Sequence, residues 1–178
     1  MTSDSKVALI TGGNRGIGLA IANKFKADGY QVVITHRSGS APDGFDSVIM
    51  DVADSESVNS AVSSVEAKFG KIDVLVANAG ITKDGLVMRM SDEDFESVID
   101  ANLTGAFRVS KRATKGLLKL KRGRLIFVGS VETVGPVGPV ETVETVGPVG
   151  TGTETGTGVG AETGVGFRVS FTIFHRAP

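Results

Sequence analysis

A glycine-rich run near the N-terminus has the residue types of a phosphate-binding turn. The run is TGGNRGIG at residues 11–18; it follows a short apolar stretch, KVALIT, and precedes apolar residues at helical spacing up to Gly29. Glycines at a strand-to-helix turn allow close approach of the backbone to a pyrophosphate, and the helix N-terminus presents free N–H groups. The context therefore predicts a dinucleotide-binding turn, with a glycine turn that binds no ligand as the alternative. The predicted contacts are Gly12, Asn14, Arg15, Gly16, Ile17 and Gly18.

The end of the second apolar run bears on which dinucleotide would fit. An acidic residue at that point would bind the ribose 2′-hydroxyl of NAD, but the run QVVIT at residues 31–35 is followed by His36 and Arg37. Arg37 and Arg15 offer two guanidinium groups suited to bidentate capture of a 2′-phosphate. The residues favour NADP(H) over NAD(H). The alternative is that both arginines are only solvated.

Small or polar residues follow three further apolar runs. Asp51 follows the third run, Asn78-Ala79-Gly80 the fourth, and Ser130 the fifth. Because ligands of open parallel sheets bind beyond the carboxyl ends of the strands, these residues are expected to line one crevice with the glycine turn. Asp51 and Asn78, taken singly, could also be simple loop caps.

The elements that position these residues alternate regularly. Strands are predicted at residues 6–11, 31–35, 47–50, 72–77 and 124–129. Helices are predicted from residue 17 to Gly29, from Val58 to Phe69, from Ser91 with Phe95, Val98 and Ile99 facing inward, and from about residue 103 to 120. This alternation predicts an α/β protein, a Rossmann-type doubly wound parallel sheet with helices on both faces.

Composition excludes several classes of protein. The net charge of −1 gives no bulk attraction to nucleic acid or membrane surfaces, and the lack of cysteine excludes disulfides and thiolate metal sites. With only two histidines, no His-rich metal centre is expected either. No signal peptide or membrane span of about 20 apolar residues is found, so a cytoplasmic protein is expected.

The composition changes abruptly near residue 130. Residues 131–166 use only Val, Glu, Thr, Gly, Pro and Ala, which cannot bury enough surface to offset backbone ordering of about 1–2 kcal/mol per residue. We therefore predict two regions, a dinucleotide-binding domain at residues 1–130 and a disordered low-complexity tail at residues 131–178. Residues 167–174 alternate apolar and polar types and predict one strand without an evident partner.

Together the motifs resemble the short-chain dehydrogenase/reductase family, and most of all its actinobacterial 3-oxoacyl-[acyl-carrier-protein] reductases. The resemblance covers residues 6 to about 131. It rests on the glycine run, THR at 35–37, DV at 51–52, NAG at 78–80, MRM at 88–90, NLTG at 102–105 and GSV at 129–131.

The resemblance also implies roles for single residues. Asp51 and Val52 would contact the adenine, and Asn78, with Ala79 and Gly80, would support the nicotinamide-side ribose. Asn102 would hold a water in a proton relay, and Ser130 would hydrogen-bond the substrate carbonyl. Asn102 could instead be a polar residue at a helix junction, and Ser130 a strand-end turn serine.

The sequence departs from the family pattern after Ser130. The family's Tyr-x-x-x-Lys pair, which delivers the proton, would fall near Val143 and Gly147, but the single tyrosine is Tyr30 and no lysine follows Lys121. The family's sixth and seventh strands, its substrate loop and its dimerisation helix are also not found, so a five-stranded sheet is expected. The abrupt change suggests that the C-terminal part of a reductase was replaced.

Two functions therefore compete. By family, the chain is an NADPH-dependent reductase of 3-oxoacyl thioesters, free or bound to acyl-carrier protein, in fatty acid biosynthesis, and it is expected to be inactive as written. The alternative is a non-catalytic NADP(H)-binding module or a partner of an intact homologue. No metal, nucleic acid or membrane is expected, and the homo-oligomer usual in the family is in doubt without the dimerisation helix.

Overall fold

A parallel β-sheet organises the computed structural model, which describes residues 5–129 and 170–173 of the chain. Within these residues the sheet has six strands in the order β3-β2-β1-β4-β5-β6, and all neighbouring strands are parallel. The strands are β1 (Val7–Ile10), β2 (Gln31–His36), β3 (Asp46–Ile49), β4 (Ile72–Ala77), β5 (Arg124–Gly129) and β6 (Ser170–Ile173). The order reverses between β1 and β4, the point at which such sheets open a crevice.

Four α-helices connect the first five strands. They are α1 (Gly16–Ala27), α2 (Ser55–Phe69), α3 (Asp92–Ile99) and α4 (Gly105–Leu120), and a short 3₁₀ turn spans Val87–Arg89. A stretch of π-helix, Asp100–Thr104, joins α3 to α4 without a break, and we call it the π segment. The side chain of Ser91 caps α3 as its spacing to Asp94 predicts, since Ser91 Oγ accepts a hydrogen bond from Asp94 N at 3.1 Å.

Two apolar layers hold the helices on the sheet. One face of the central strands packs against α1, and the other packs against α2 and α4, where Val62 and Val109 are completely buried. Burial of such a side chain contributes about 1.5–3 kcal/mol. The predicted Rossmann-type doubly wound fold and the five predicted strands are therefore confirmed.

The predicted inner face of α3 is wrong in two positions. Phe95 and Ile99 are 58 % and 40 % exposed, whereas Val98 is half-buried. The reason is that α3 contacts mainly the π segment that follows it, rather than the sheet. The apolar periodicity predicted the helix correctly, but it did not predict which of its residues are buried.

The C-terminal strand has a partner, which corrects the prediction of an isolated strand and adds a sixth strand to the five that were predicted. Ser170–Ile173 pairs in parallel with Ile126–Gly129 of β5. The physical reason is that β5 would otherwise present a row of unpaired N–H and C=O groups at the edge of the sheet. The predicted disorder of the rest of the tail lies outside the described residues.

No helix among the described residues is both long enough and apolar enough to cross a lipid bilayer.

A buried carboxylate at the start of β4 joins this strand to β1 and to the loop before β5. Asp73 is 7 % exposed; its Oδ2 accepts from Val7 N at 3.0 Å, and its Oδ1 accepts from Arg122 Nε at 3.1 Å. The substitution Asp73→Ala leaves the Val7 N–H without this partner, so we expect the free energy of unfolding to fall by about 1–3 kcal/mol. Urea denaturation followed by circular dichroism measures the change.

The exposed pair formed by Lys24 and Asp28 on α1 provides the control for this substitution. Asp28→Ala should change the free energy of unfolding by no more than about 0.5 kcal/mol, because exposed ion pairs contribute little. Equal losses for the two variants would contradict a special role for the Asp73 contacts.

Candidate functional site

A cleft of about 600 Å³ opens at the carboxyl ends of the first four strands. All twelve residues that the sequence analysis assigned to cofactor binding line it: Gly12, Asn14, Arg15, Gly16, Ile17, Gly18, Arg37, Asp51, Val52, Asn78, Ala79 and Gly80. The residues that line it without having been predicted are His36, Ser38, Gly39, Met50, Ala53, Ile81, Ser97, Asp100 and Ala101. Four separate strand ends therefore contribute to one concave surface.

The glycine turn is packed too tightly for side chains. A Cβ atom added at Gly18 would lie 2.3 Å from Gly12 O and 2.5 Å from Asn78 Nδ2. Gly12 has a φ of +64°, a conformation that residues with a side chain rarely adopt. The turn also bonds to the neighbouring strand, since Gly13 N donates to Thr35 O at 3.1 Å. Glycine is therefore required in this turn, because a side chain would displace the backbone that forms the floor of the cleft.

The N-terminus of α1 is open to an anion. The helix begins after Arg15, which makes no side-chain cap, and its first turn has no acidic residue. By contrast, Asp54 caps α2 and Ser91 caps α3. The free N–H groups and the positive dipole end of α1 lie at the cleft, an arrangement that favours a phosphate.

A set of hydrogen bonds locks the end of β4 to the glycine turn. Thr11 Oγ1 accepts from Asn78 N at 2.9 Å and from Ala79 N at 2.8 Å. In return, Asn78 Nδ2 donates to Thr11 O at 2.9 Å and to Gly12 O at 3.2 Å. Because the Asn78 amide nitrogen is engaged in this way, the side chain shapes the turn as well as lining the cleft.

Two cationic side chains line the cleft. Arg15 and Arg37 are both exposed and both line it. Neither belongs to any of the ion pairs found among the described residues. The cleft therefore offers two guanidinium groups free to bind an anion.

The loop after β3 is a rigid part of the cleft wall. Asp51 Oδ1 accepts from Ala53 N at 2.9 Å, and Asp51 N donates to Ser57 Oγ at 2.9 Å. Val52 is only 8 % exposed. A planar apolar group would meet a preformed surface here rather than a mobile loop.

Asn102 lies in the π segment, and its side chain contacts the loop that follows β4. Its Oδ1 accepts from Ile81 N at 2.8 Å, and its Nδ2 donates to Ile81 O at 3.0 Å. The same Oδ1 would lie 2.9 Å from a Cβ added at Gly80. Asn102 therefore supports the cleft from beside it, and its predicted role in a proton relay stays a prediction.

Two further expectations concern Ser130, predicted to hydrogen-bond the substrate carbonyl, and the tyrosine that would deliver a proton. Ser130 lies outside the described residues. Tyr30 is at the junction of α1 and β2, where its ring meets the edge of Phe25 at a centroid distance of 5.0 Å, and it does not line the cleft. No tyrosine of the described part of the chain therefore reaches the cleft.

In the described part of the chain, titratable groups outside the cleft form no second site. The Lys83 ammonium, by hydrogen bond and charge, lowers the pKa of the exposed Asp94 carboxyl, and the pair joins the loop after β4 to α3. No group of three or more His, Asp or Glu residues in the described ranges could hold a metal ion.

The lining residues that the sequence analysis missed differ in whether the sequence could have identified them. His36, Ser38 and Gly39 flank Arg37 at a strand end, so the strand-end rule could have included them. Ser97, Asp100 and Ala101 come from a helix, and no motif or spacing marks them. Only the packing of the π segment against the cleft reveals them.

The fold and the cleft define an α/β protein built to bind a dinucleotide. Residues 6–140 match the family of the short chain dehydrogenases. The chain belongs to this family.

Named relatives agree with this assignment. The chain is 53 % identical over 128 residues to the 3-oxoacyl-[acyl-carrier-protein] reductase MabA of Mycobacterium tuberculosis (strain ATCC 25618 / H37Rv), covering 72 % of this chain and 52 % of that protein. It is 39 % identical over 146 residues to the reductase FabG of Escherichia coli (strain K12), covering 78 % of this chain and 59 % of that protein. The crystal structure of gox2181 superposes with a TM-score of 0.68 at 33 % identity, over 72 % of this chain and 55 % of that one. The chain thus spans little more than half the length of these relatives.

The crowding at Gly18 leads to a direct test of the cleft. Gly18→Ala would push the new methyl group into Gly12 O and Asn78 Nδ2 and so displace the turn from the α1 N-terminus. We expect affinity for a nicotinamide dinucleotide, with NADPH as the probe, to fall about tenfold or more, since the N–H groups at the start of α1 move. Isothermal titration calorimetry measures it.

Gly85→Ala is the matched control, because Gly85 has an ordinary φ and nothing within 4 Å of an added Cβ. Its affinity should equal that of the unaltered chain. Tight binding by Gly18→Ala would show that the glycine turn does not contact the ligand.

Proposed function

We propose that this chain carries the NADP(H)-binding half of a reductase of 3-oxoacyl thioesters, and that as written it binds the cofactor without turning it over. The observation that supports this most strongly is the convergence of all twelve predicted cofactor residues on one cleft. Relatives that span this part of the chain are named 3-oxoacyl-[acyl-carrier-protein] reductases, which gives the proposal its substrate class.

The cleft's own groups fit the phosphates of such a cofactor. The uncapped N-terminus of α1 would bind the pyrophosphate, with Asn14, Gly16, Ile17 and the tight turn at Gly12 and Gly18 alongside it. Arg15 and Arg37 would bind a 2′-phosphate, because a guanidinium matches phosphate geometry with two parallel hydrogen bonds. No acidic residue at the end of β2 competes for a ribose hydroxyl.

The remaining lining residues would serve the two ends of the cofactor. Asp51 and Val52 would contact the adenine on the wall formed by the loop after β3. Asn78, Ala79 and Gly80 would support the ribose next to the nicotinamide, which supplies the hydride when it is bound. Asn102 would hold the loop after β4 through Ile81, and Ser130 is the residue that we assign to the substrate carbonyl.

Turnover needs an acid that the sequence does not provide. Hydride addition to a carbonyl leaves an oxygen that must receive a proton, and a positioned acid contributes about 10²–10⁴-fold to such a step. The single tyrosine is Tyr30, and no lysine follows Lys121, so no Tyr-x-x-x-Lys pair occurs after Ser130. Binding and chemistry are therefore separable in this chain.

A second function is consistent with a chain that binds the cofactor but lacks the acid needed for turnover. The chain would act as a non-catalytic NADP(H)-binding module, or as a partner of an intact homologue. The observation that favours it is a fully built cleft in a chain without the acid. Under either proposal, the protein would be cytoplasmic and would belong to fatty acid biosynthesis. For the reductase, the substrate would be a free or carrier-bound thioester.

Charge reversal at Arg37 tests the choice of cofactor. In Arg37→Glu a carboxylate replaces the guanidinium that we assign to the 2′-phosphate, so the Kd for NADPH should rise by about tenfold to a hundredfold. The Kd for NADH should not rise, because a carboxylate at the end of β2 can accept a hydrogen bond from the ribose 2′-hydroxyl. Fluorescence titration of both nucleotides measures this. Arg89→Glu, an exposed arginine outside the cleft, is the control. An unchanged preference for NADPH in Arg37→Glu would remove Arg37 from the 2′-phosphate site.

An activity assay tests the separation of binding from chemistry. With acetoacetyl-CoA as substrate, we expect no enzyme-dependent oxidation of NADPH at 340 nm, because no group is placed to protonate the product oxygen. The same preparation should bind NADPH in the titration above. Measurable turnover would show that another group supplies the proton.

A further inference from the structure

An arginine behind the cleft joins two of its walls. Arg108 lies on α4, and its side chain is 22 % exposed. Its Nη2 donates to Asp100 Oδ1 at 2.7 Å, and its Nη1 donates to Val52 O at 3.3 Å. One side chain therefore connects the π segment to the loop after β3.

The helix also touches this loop directly. A Cβ added at Gly105 would lie 2.9 Å from Val52 Cγ2 and 3.2 Å from Val52 O. Such distances leave no room for a side chain, so the start of α4 lies against Val52. Val52 is thus held by apolar contact at Gly105 and by a hydrogen bond at Arg108.

The ion pair between Arg108 and Asp100 also affects the charge of the cleft. Asp100 and Val52 both line the cleft, whereas Arg108 does not. The Asp100 carboxylate would repel an anionic ligand in the same cleft, and the guanidinium of Arg108 offsets that charge at a distance of 2.7 Å.

We propose that Arg108 is a positioning residue for the adenosine end of the cofactor: it fixes Val52 in the cleft wall and neutralises Asp100 beside it. This inference rests on the proposed function, since it concerns the same cleft. Arg108 acts through Val52 and Asp100 and does not itself contact the ligand.

The test uses 2′,5′-ADP, which carries the adenosine and the 2′-phosphate, in calorimetric titrations of the full chain. Arg108→Met keeps the length of the side chain but removes both hydrogen bonds. We expect its Kd to rise about tenfold, the loss typical of one hydrogen bond to a charged group. The double variant Arg108→Met/Asp100→Asn removes the uncompensated charge as well, so it should recover only part of the affinity.

Arg112→Met is the matched control. Arg112 lies one turn further along α4, donates to Glu66 Oε2 at 2.7 Å and to Ser63 Oγ at 3.0 Å, and lines no part of the cleft. A merely structural ion pair would lower the melting temperature in both variants and leave both affinities equal. We expect the loss of affinity in Arg108→Met alone.

Gly105→Ala tests the same positioning without removing any polar group. Its methyl group must displace Val52, so the Kd for 2′,5′-ADP should rise at least threefold even if Arg108→Met does not fold. Binding by both variants with the affinity of the unaltered chain would overturn this inference and leave the proposed function in place. Failure of the unaltered chain to bind 2′,5′-ADP would overturn both.

Discussion

The cleft depends on the hydrogen bonds between Thr11 and Asn78 at the switch point of the sheet. Strand order reverses between β1 and β4, so the connections from these strands leave in opposite directions and open a gap. Thr11 Oγ1 and Asn78 Nδ2 cross this gap and join residues 67 positions apart in the chain. Because each bond joins one of these two side chains to a backbone atom of the other strand end, the side chains of Thr11 and Asn78 hold the two strand ends in one relative position. The glycine turn can then be tight, and the α1 N-terminus can remain uncapped, without collapse of the space between them.

The π segment also holds part of the cleft in position, here by contacts from a helix and not from a strand. Asn102 of the π segment contacts Ile81, and Gly105 and Arg108 of α4 contact Val52. The π segment and the start of α4 thus support two loops that follow different strands. Short π-helical insertions recur at functional sites for such reasons, since they redirect side chains without breaking the helix. The helix is therefore part of the wall of the site as well as part of the core.

Sequence alone predicted the parts of this protein that depend on local rules. The strands, the glycine turn and the polar strand ends follow from apolar period and from the geometry of parallel sheets, so eleven of the twelve predicted lining residues could be named from the residues themselves. The twelfth, Val52, came from the resemblance to the family. Contacts made across the chain could not. Arg108 is 56 residues from Val52, and nothing in either neighbourhood marks the pair. Phe95 and Ile99 have core periodicity, yet they are exposed because burial depends on which element covers a helix. The pairing of Ser170–Ile173 with β5 likewise depends on an open sheet edge and not on a motif.

The arrangement also explains how the proposed cofactor site can exist apart from catalysis. Among the described residues, those that line the cleft fall within residues 12–101, in the part of the chain that carries the first four strands. The affinity of such a site depends on N–H groups, guanidinium groups and a fixed wall, all of which are in place before β5. Proton delivery depends instead on a group placed after Ser130, where the sequence has neither a tyrosine nor a lysine. Cofactor binding and proton delivery thus depend on different parts of the chain. A change confined to the part after Ser130 therefore leaves the residues of the proposed cofactor site in place. Under the proposed function, hydride transfer without a proton donor would stop at the barrier that the acid lowers.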